Sequence, residues 1–261
     1  MTDATLALGI DLGTTNCALS SVAIGDKSAT PTPLAIPQTV APGETMADKL
    51  LPSFLYVSAE AERTGGAFAL PWSASQEEVI GPYARKQGAA TPGRLISSAK
   101  SWLSYSGVDR RSDILPWEAP EGVPKMSPLA ASAHYLGHLK AAWDAANPET
   151  PLSGQEVVLT VPASFDAAAR ELTVEAAAQI GLQDNLRLLE EPQAALYAWL
   201  ADKGDTWRDE LNVGDTILVC DIGGGTTDFS LISVQEEDGV LQLERIAVGD
   251  HILLGGDNMD L

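Results

Sequence analysis

One short turn motif occurs twice in this sequence, near the beginning and toward the end of the chain. Residues 10–15 read Ile-Asp-Leu-Gly-Thr-Thr, and residues 220–227 read Cys-Asp-Ile-Gly-Gly-Gly-Thr-Thr. Each copy ends an apolar run with aspartate, continues with glycine, which adopts backbone conformations closed to other residues, and closes with two hydroxyl side chains. A single glycine–threonine turn can simply close a hairpin. Two copies with this shared pattern indicate a fold built from two related halves.

The repeated turn has the chemistry of a site for phosphate and a metal ion. Backbone N–H groups of a glycine-containing turn and threonine hydroxyls donate hydrogen bonds to phosphate oxygens, and the aspartate carboxylate faces the cation. Neither turn matches the G-x-x-x-x-G-K-[ST] loop or the dinucleotide-binding fingerprint. The sequence therefore predicts a phosphate site of a different class.

Composition and charge narrow the class of protein further. Of the 261 residues, 45% are hydrophobic and 20% are charged, which is typical of a globular chain with a sizeable core. The net charge of −20 opposes binding to nucleic acid or anionic membranes. No apolar run approaches the roughly 18 residues that span a bilayer, and no basic stretch precedes the apolar run at residues 6–10. We therefore expect a cytoplasmic protein in which Cys17 and Cys220 are reduced, buried thiols.

Hydrophobic periodicity and turn residues predict alternating strands and helices, hence an α/β fold. Predicted strands cover residues 6–11, 18–24, 53–57, 156–161, 186–189, 216–220, 228–234 and 241–248. Predicted helices cover residues 76–87, 95–103, 128–146, 166–180 and 192–201. We expect irregular chain over residues 25–51 and 104–128, and a connecting segment over 202–212. In the long helix, the side chains at helical spacing indicate core packing rather than a partner groove: Leu129, Ala133, Leu136, Leu139 and Trp143.

Five blocks of the sequence, in order along the chain, resemble motifs of the seventy-kilodalton heat-shock protein family, the DnaK-like chaperones. Residues 9–16 resemble the first phosphate motif of that family, and residues 219–228 resemble the second. The other three blocks are Val-Leu-Thr-Val-Pro-Ala-Ser-Phe at 158–165 with Arg170, Glu-Glu-Pro-Gln-Ala-Ala at 190–195, and Leu-Gly-Gly-Asp at 254–257 followed by Asp260. The resemblance extends over nearly the whole chain.

The resemblance implies an actin-like, ribonuclease-H-like ATPase fold, with the first lobe complete and the second lobe truncated at residue 261. Lobe I of the nucleotide-binding domain would cover residues 1–212, with a core subdomain at about 1–50 and 151–212 and an inserted subdomain at about 51–150. Residues 213–261 would begin lobe II. We expect a fragment of a longer protein that lacks most adenosine contacts and the peptide-binding domain, and therefore binds ATP weakly and has little or no activity by itself.

The resemblance also implies a role for each matching residue around ATP or ADP and Mg²⁺. Asp11 and Asp221 would hold the metal ion, mostly through water. Lys100 would reach the γ-phosphate and the attacking water, which Glu191 would orient, and Pro162 with Arg170 would relay the nucleotide state. Asp221 and Thr226 are also expected to take part in catalysis. The residues expected to contact the nucleotide are Gly13, Thr14, Thr15, Asn16, Gly223, Gly224, Gly225, Thr226, Gly255 and Gly256.

The implied function is ATP hydrolysis that controls the binding of client polypeptides, with co-chaperones as possible further partners. Two alternative functions, within the superfamily of actin-like ATPases, are a sugar-kinase-like phosphotransferase and an actin-like filament or scaffold protein. The sequence departs from the family at Glu190 and Gln193, where asparagine and threonine are usual, and a second carboxylate beside Glu191 could alter charge and metal preference. His134 and His138 lie four residues apart on the long helix, but no third metal ligand at suitable spacing accompanies them.

Overall fold

The computed structural model describes residues 4–26, 28–237, 240–249, 252 and 254–256. The strands are β1 (Leu6–Leu12), β2 (Asn16–Ala23), β3 (Thr32–Pro33), β4 (Ile36–Ala41), β5 (Glu44–Asp48), β6 (Leu51–Pro52), β7 (Leu55–Val57), β8 (Glu78–Ile80), β9 (Leu95–Ile96), β10 (Glu156–Val161), β11 (Leu186–Glu190), β12 (Thr216–Ile222), β13 (Thr227–Glu237) and β14 (Val240–Val248). The α-helices are α1 (Pro82–Ala90), α2 (Ala99–Ser104), α3 (Pro128–Ala146), α4 (Ala167–Gln179), α5 (Glu191–Lys203) and α6 (Trp207–Glu210).

Each copy of the repeated motif closes an antiparallel hairpin in its own sheet. The first hairpin, β1–β2, belongs to a sheet with the strand order β11-β10-β1-β2-β3, in which β6 also pairs with β2. The second hairpin, β12–β13, belongs to a sheet with the order β12-β13-β14. The predicted hairpins and the α/β class are therefore confirmed.

The chain divides into two compact units. The first unit comprises residues 1–159 and 167–187, and the second comprises residues 160–166 and 188–261. The two copies of the turn therefore lie in different units. The lobe and subdomain limits given above stay predictions.

The helix α3 is the longest α-helix among the described residues, and its sequence explains both its start and its burial. The Ser127 hydroxyl accepts a hydrogen bond from the Ala130 N–H at 3.0 Å, and Pro128 occupies the first turn, where its missing N–H costs nothing. All five residues of the predicted apolar stripe are buried. This confirms that the stripe is core packing.

A separate group of buried aromatic residues packs around β7, β8 and α1. Tyr56 and Phe68 both contact Tyr83, with ring centroids 6.1 and 5.2 Å apart respectively. Val79 and Ala84 complete this cluster. The predicted helix over residues 76–87 is wrong in its first half, because residues 78–80 form β8. Gly81, at φ +108°, reverses the chain before Pro82 begins α1.

Three further sequence predictions require correction. Residues 25–51 are not a long loop, because they contain β3 to β5 and the first residue of β6. The strand β5 was not predicted because all its residues are exposed and show no apolar alternation. Residues 95–96 form β9 and only 99–104 are helical. The connecting segment 202–212 contains the last turn of α5 and the short helix α6. Residues 105–127, all of them described, contain no helix or strand, as predicted.

Candidate active site

The first turn has no room for any residue but glycine at its start. A Cβ atom at Gly13 would lie 2.2 Å from the backbone oxygen of Asn16. The register pairs Leu12 with Cys17, so Gly13, Thr14, Thr15 and Asn16 form the connection. Thr14 is buried. The four predicted nucleotide contacts of the first motif therefore lie on one tight hairpin turn.

Ser53 holds this turn in place by two hydrogen bonds. Its hydroxyl donates to the Gly13 carbonyl at 2.7 Å, and its backbone N–H donates to the Thr15 carbonyl at 2.9 Å. The Cys17 sulfur lies 3.2 Å from the same hydroxyl. Two carbonyl groups of the turn are thus bound to one residue, which fixes the shape of the turn. Ser53 was not predicted from the sequence as part of the site, because one serine before a strand carries no distinguishing pattern.

The charges of Asp11 and Lys100 both influence the pKa of one buried thiol, that of Cys17. Burial raises the pKa of Cys17 to about 12, the hydrogen bond between Cys17 and Ser53 opposes this rise, and the charge of Asp11 raises the pKa while that of Lys100 lowers it. Both charges act on a sulfur atom directly beside the turn. Within the first unit, the predicted metal-binding Asp11 and the predicted catalytic Lys100 are therefore both near enough to Cys17, beside the first turn, for their charges to influence its pKa.

The helix that carries Lys100 begins from an unusual backbone conformation. Ser98, which precedes α2, has φ 54° and ψ 32°, and it is the non-glycine residue with positive φ among those the structure describes. This left-handed conformation costs roughly 1–2 kcal/mol and sharply redirects the chain between β9 and α2. Such outliers concentrate at functional sites, and this one sets the direction in which α2 carries Lys100.

Tyr135 of α3 joins the first turn to the segment that leads to Lys100. Its buried hydroxyl lies 3.0 Å from the Ser53 carbonyl oxygen and 3.4 Å from the Ile96 carbonyl oxygen. Burial raises the pKa of Tyr135 well above its usual value. The hydroxyl therefore stays protonated and acts as a hydrogen-bond donor to these carbonyl oxygens. No role of Tyr135 was predicted from the sequence, because its partners are distant in the chain.

The second turn, in the second unit, is closed by its own backbone. The register pairs Ile222 with Thr227, and the Gly223 N–H donates to the Thr226 carbonyl at 2.9 Å. Gly224 and Gly225 lie between them. Asp221 stands directly opposite Asp228, which is buried, so both carboxylates lie on one face of this sheet. The predicted metal-binding Asp221 and catalytic Thr226 thus occupy the two sides of the turn.

The glycine pair near the end of the chain packs directly on the second turn. The Gly256 N–H donates to the Gly223 carbonyl at 3.0 Å, and a Cβ at Gly255 would lie 2.4 Å from the Gly224 carbonyl oxygen. The structure therefore brings Gly255 and Gly256 to the predicted phosphate site of the second unit. Asp257 and Asp260, which belong to the same sequence block, lie outside the described residues.

Glu191 is the first residue of α5, and Pro192 follows it in the first turn of the helix. A carboxylate at this position is favoured by the helix dipole. The preceding residue, Glu190, forms an ion pair with Arg245 of β14 within the second unit. Arg245 was not singled out from the sequence, because its partner is remote along the chain.

The remaining residues singled out from the sequence lie elsewhere. Pro162 directly follows β10 and is buried, and Arg170 lies on α4 and is partly exposed. His138 is buried and its Nε2 atom lies 2.9 Å from the Pro37 carbonyl oxygen, while His134 is exposed on the same helix. Among the described residues, no three His, Cys, Asp or Glu side chains group together as a metal site would require. Within the same residues, no helix combines the length and apolar character of a membrane span.

Comparison with known proteins gives a consistent result over the whole chain. The family model described as Hsp70 protein matches residues 7–261. The chain is 34% identical over 270 residues to the chaperone protein HscA of Serratia proteamaculans (strain 568), and 34% identical over 271 residues to that of Enterobacter sp. (strain 638). It is 32% identical over 269 residues to the chaperone protein HscA homolog of Haemophilus influenzae (strain PittGG).

These alignments cover 98% of this chain and 36% of each relative. The chain thus spans about a third of the length of the curated relatives it matches. The ATPase domain of the matched family has the actin-like fold, so the family match confirms the predicted fold class as well as the resemblance drawn from the motifs. The chain belongs to the Hsp70 protein family.

Proposed function

We propose that this chain forms the ATP-binding and ATP-hydrolysing part of an HscA-like chaperone. Family membership and the names of the relatives support a chaperone. The observations that carry the ATPase proposal are the tight turn at Gly13, Asp11 near the end of the strand before it, and the influence of the Lys100 charge on Cys17 beside that turn, because a carboxylate, a cation and a glycine turn together suit a metal-bound triphosphate.

The donor groups fit Mg²⁺ and a nucleotide. Carboxylate oxygen is a preferred ligand of Mg²⁺, which retains several of its water molecules, and Asp11 and Asp221 would hold the ion mostly through such water. The tight turn at Gly13 lets the backbone approach a phosphate closely. The residues proposed to bind the β- and γ-phosphates are Thr14, Thr15, Gly223, Gly224 and Thr226. The other residues proposed to contact the nucleotide are Gly13, Asn16, Gly225, Gly255 and Gly256.

Two side chains are proposed to act on the reacting groups. The Lys100 ammonium would neutralise charge on the γ-phosphate and contact the attacking water, and the Glu191 carboxylate would accept a hydrogen bond from that water and orient it. In phosphoryl transfer, such positioning and charge stabilisation supply most of the rate enhancement. Asp221 and Thr226 complete the proposed catalytic set.

The full-length protein is proposed to couple nucleotide state to the binding of client polypeptides by a separate domain. Pro162 and Arg170 are proposed to relay that state, and co-chaperones are proposed as further partners. A cytoplasmic location stays part of this proposal. Membership of the Hsp70 family favours this function over the sugar-kinase and filament alternatives, both of which lie outside that family.

The test is ATP turnover by the full-length protein in the presence and absence of Mg²⁺. We expect slow, Mg²⁺-dependent hydrolysis that falls by about 10²-fold or more in Lys100→Ala and Glu191→Ala, because each variant removes a group that acts on the transition state. The exposed residues Lys86 and Glu171 provide matched controls, Lys86→Ala and Glu171→Ala. Unchanged turnover in both site variants would refute these assignments.

A further inference from the structure

Arg245 of β14 forms an ion pair with Glu190, the residue immediately before Glu191. The Glu190 side chain is 13% exposed and the Arg245 side chain 31% exposed. Both residues lie in the second unit. Glu190 ends β11 and directly precedes α5, with an extended backbone (φ −73°, ψ 137°), and its side chain makes no capping hydrogen bond to the helix. Its carboxylate is directed to Arg245 instead.

The ion pair offsets the electrostatic cost of a largely buried carboxylate that lies next to a second carboxylate in the sequence. Glu190 and Glu191 are consecutive carboxylates, and two like charges side by side disfavour each other's ionisation. A largely buried carboxylate is also costly unless an opposite charge and hydrogen bonds compensate for its lost hydration. Arg245 provides that opposite charge on the side of Glu190.

The strand that provides Arg245 belongs to the sheet of the second phosphate turn. Arg245 is paired with Ile232 of β13, and β13 begins at Thr227, directly after that turn. The helix α5 packs against β12 and β13 of the same sheet. The ion pair therefore adds a polar connection between the start of α5 and this sheet.

We propose that Arg245 is a positioning residue for the ATPase reaction. It holds the Glu190 carboxylate away from the position at which Glu191 orients water, and thereby allows consecutive glutamates at this site. This inference rests on the proposed function of Glu191.

The experiment compares variants of the full-length protein by their ATP turnover at saturating nucleotide and by their affinity for ATP. Arg245→Gln leaves the Glu190 charge uncompensated, and we expect kcat to fall by about 10- to 100-fold, as misplacement of a catalytic group does, with a smaller change in the Kd for ATP. The double variant Glu190→Gln/Arg245→Gln removes both charges and is expected to regain most of the lost kcat. A merely structural role of Arg245 predicts that kcat falls only as far as the folded fraction falls in urea unfolding of the same variant, whereas a positioning role predicts a lower kcat in Arg245→Gln protein that is fully folded under the assay conditions.

The control is Arg187→Gln. Arg187 lies on the same strand as Glu190, β11, and pairs with Glu156 at 3.5 Å, but its side chain is 77% exposed. Loss of this exposed pair is expected to leave kcat unchanged. Circular dichroism of each variant establishes that it is folded.

Three results would overturn the inference. In the first, Arg245→Gln retains the wild-type kcat while Glu191→Ala loses it, which contradicts the role of Arg245 alone. In the second, the double variant folds but its kcat is as low as that of Arg245→Gln. If Arg245→Gln does not fold, the corresponding result is a double variant that folds but is inactive. In the third, the folded wild-type protein hydrolyses no ATP, which refutes the proposed function and this inference with it.

Discussion

Gly13 lies where the first turn permits no side chain. A Cβ atom there would be 2.2 Å from the backbone oxygen of Asn16, whereas one at Gly9 in the preceding strand would have no atom within 4 Å. We expect Gly13→Ala to lower the free energy of unfolding by about 1–3 kcal/mol, the usual cost of overpacking, and to weaken MgATP binding. Urea unfolding and calorimetric titration of the full-length protein measure both effects. Gly9→Ala is the control, and equal stability of the two variants would contradict the prediction.

His138 is a buried imidazole that the structure keeps neutral. Burial lowers the pKa of His138 to about 4, against a smaller opposing effect of the bond to the Pro37 carbonyl. That carbonyl only accepts a hydrogen bond, so Nε2 carries the proton of the neutral ring. The Trp72 ring packs edge-on against it at a centroid distance of 5.1 Å.

The depressed pKa makes stability depend on pH in a definite direction. Between its unfolded pKa of roughly 6.5 and its folded pKa of about 4, the unfolded chain binds a proton at His138 that the folded chain does not. The free energy of unfolding therefore decreases as the pH falls through this window, by up to about 3 kcal/mol. We expect His138→Gln to flatten this dependence in urea unfolding at pH 4.5–7. The exposed His134 gives the control His134→Gln, and equal slopes for both variants would contradict this origin.

At the scale of elements, Tyr135 ties α3 to two segments that shape the first site. Tyr135→Phe removes the hydroxyl group that lies between the buried carbonyls of Ser53 and Ile96, 3.0 and 3.4 Å away. We expect a loss of about 1–3 kcal/mol in the free energy of unfolding and a lower ATP turnover. Tyr105→Phe removes a hydroxyl from a side chain that is 47% exposed and is expected to have little effect. Equal stability of both variants would show that the hydroxyl bridge contributes nothing.

The elements with strong local signals were predicted from the sequence, and those without such signals were not. The helix α3 has a serine cap, a proline in its first turn and an unbroken apolar stripe, so its start and its buried face were both predicted. β5 has no buried residue, and β8 lies inside a stretch whose composition favours a helix. Only the pairing of β5 with β4 and of β8 with β7 reveals them as strands.

For the whole molecule, the net charge of −20 predicts a stability that increases with salt. Raising the ionic strength from about 0.01 to 0.15 M shortens the screening length from roughly 30 to 8 Å, which weakens the mutual repulsion of the carboxylates in the compact state. We expect a higher thermal unfolding midpoint at the higher NaCl concentration. Glu44→Lys and Glu60→Lys change two exposed charges, and the double variant is expected to respond less to salt. A midpoint that falls on addition of NaCl would contradict this prediction.

The sequence by itself determined the two glycine turns, their hairpins, the fold class and the family, because each depends on residues that are adjacent in the chain. Tertiary structure alone decided that Asp11 and Lys100 act on one thiol beside the first turn, that Ser53 fastens that turn, and that Arg245 holds Glu190. The physical reason is sequence separation. Tyr135 and Ser53 are 82 positions apart, and no local pattern of hydrophobicity or turn residues encodes which distant polar groups will meet when the core packs.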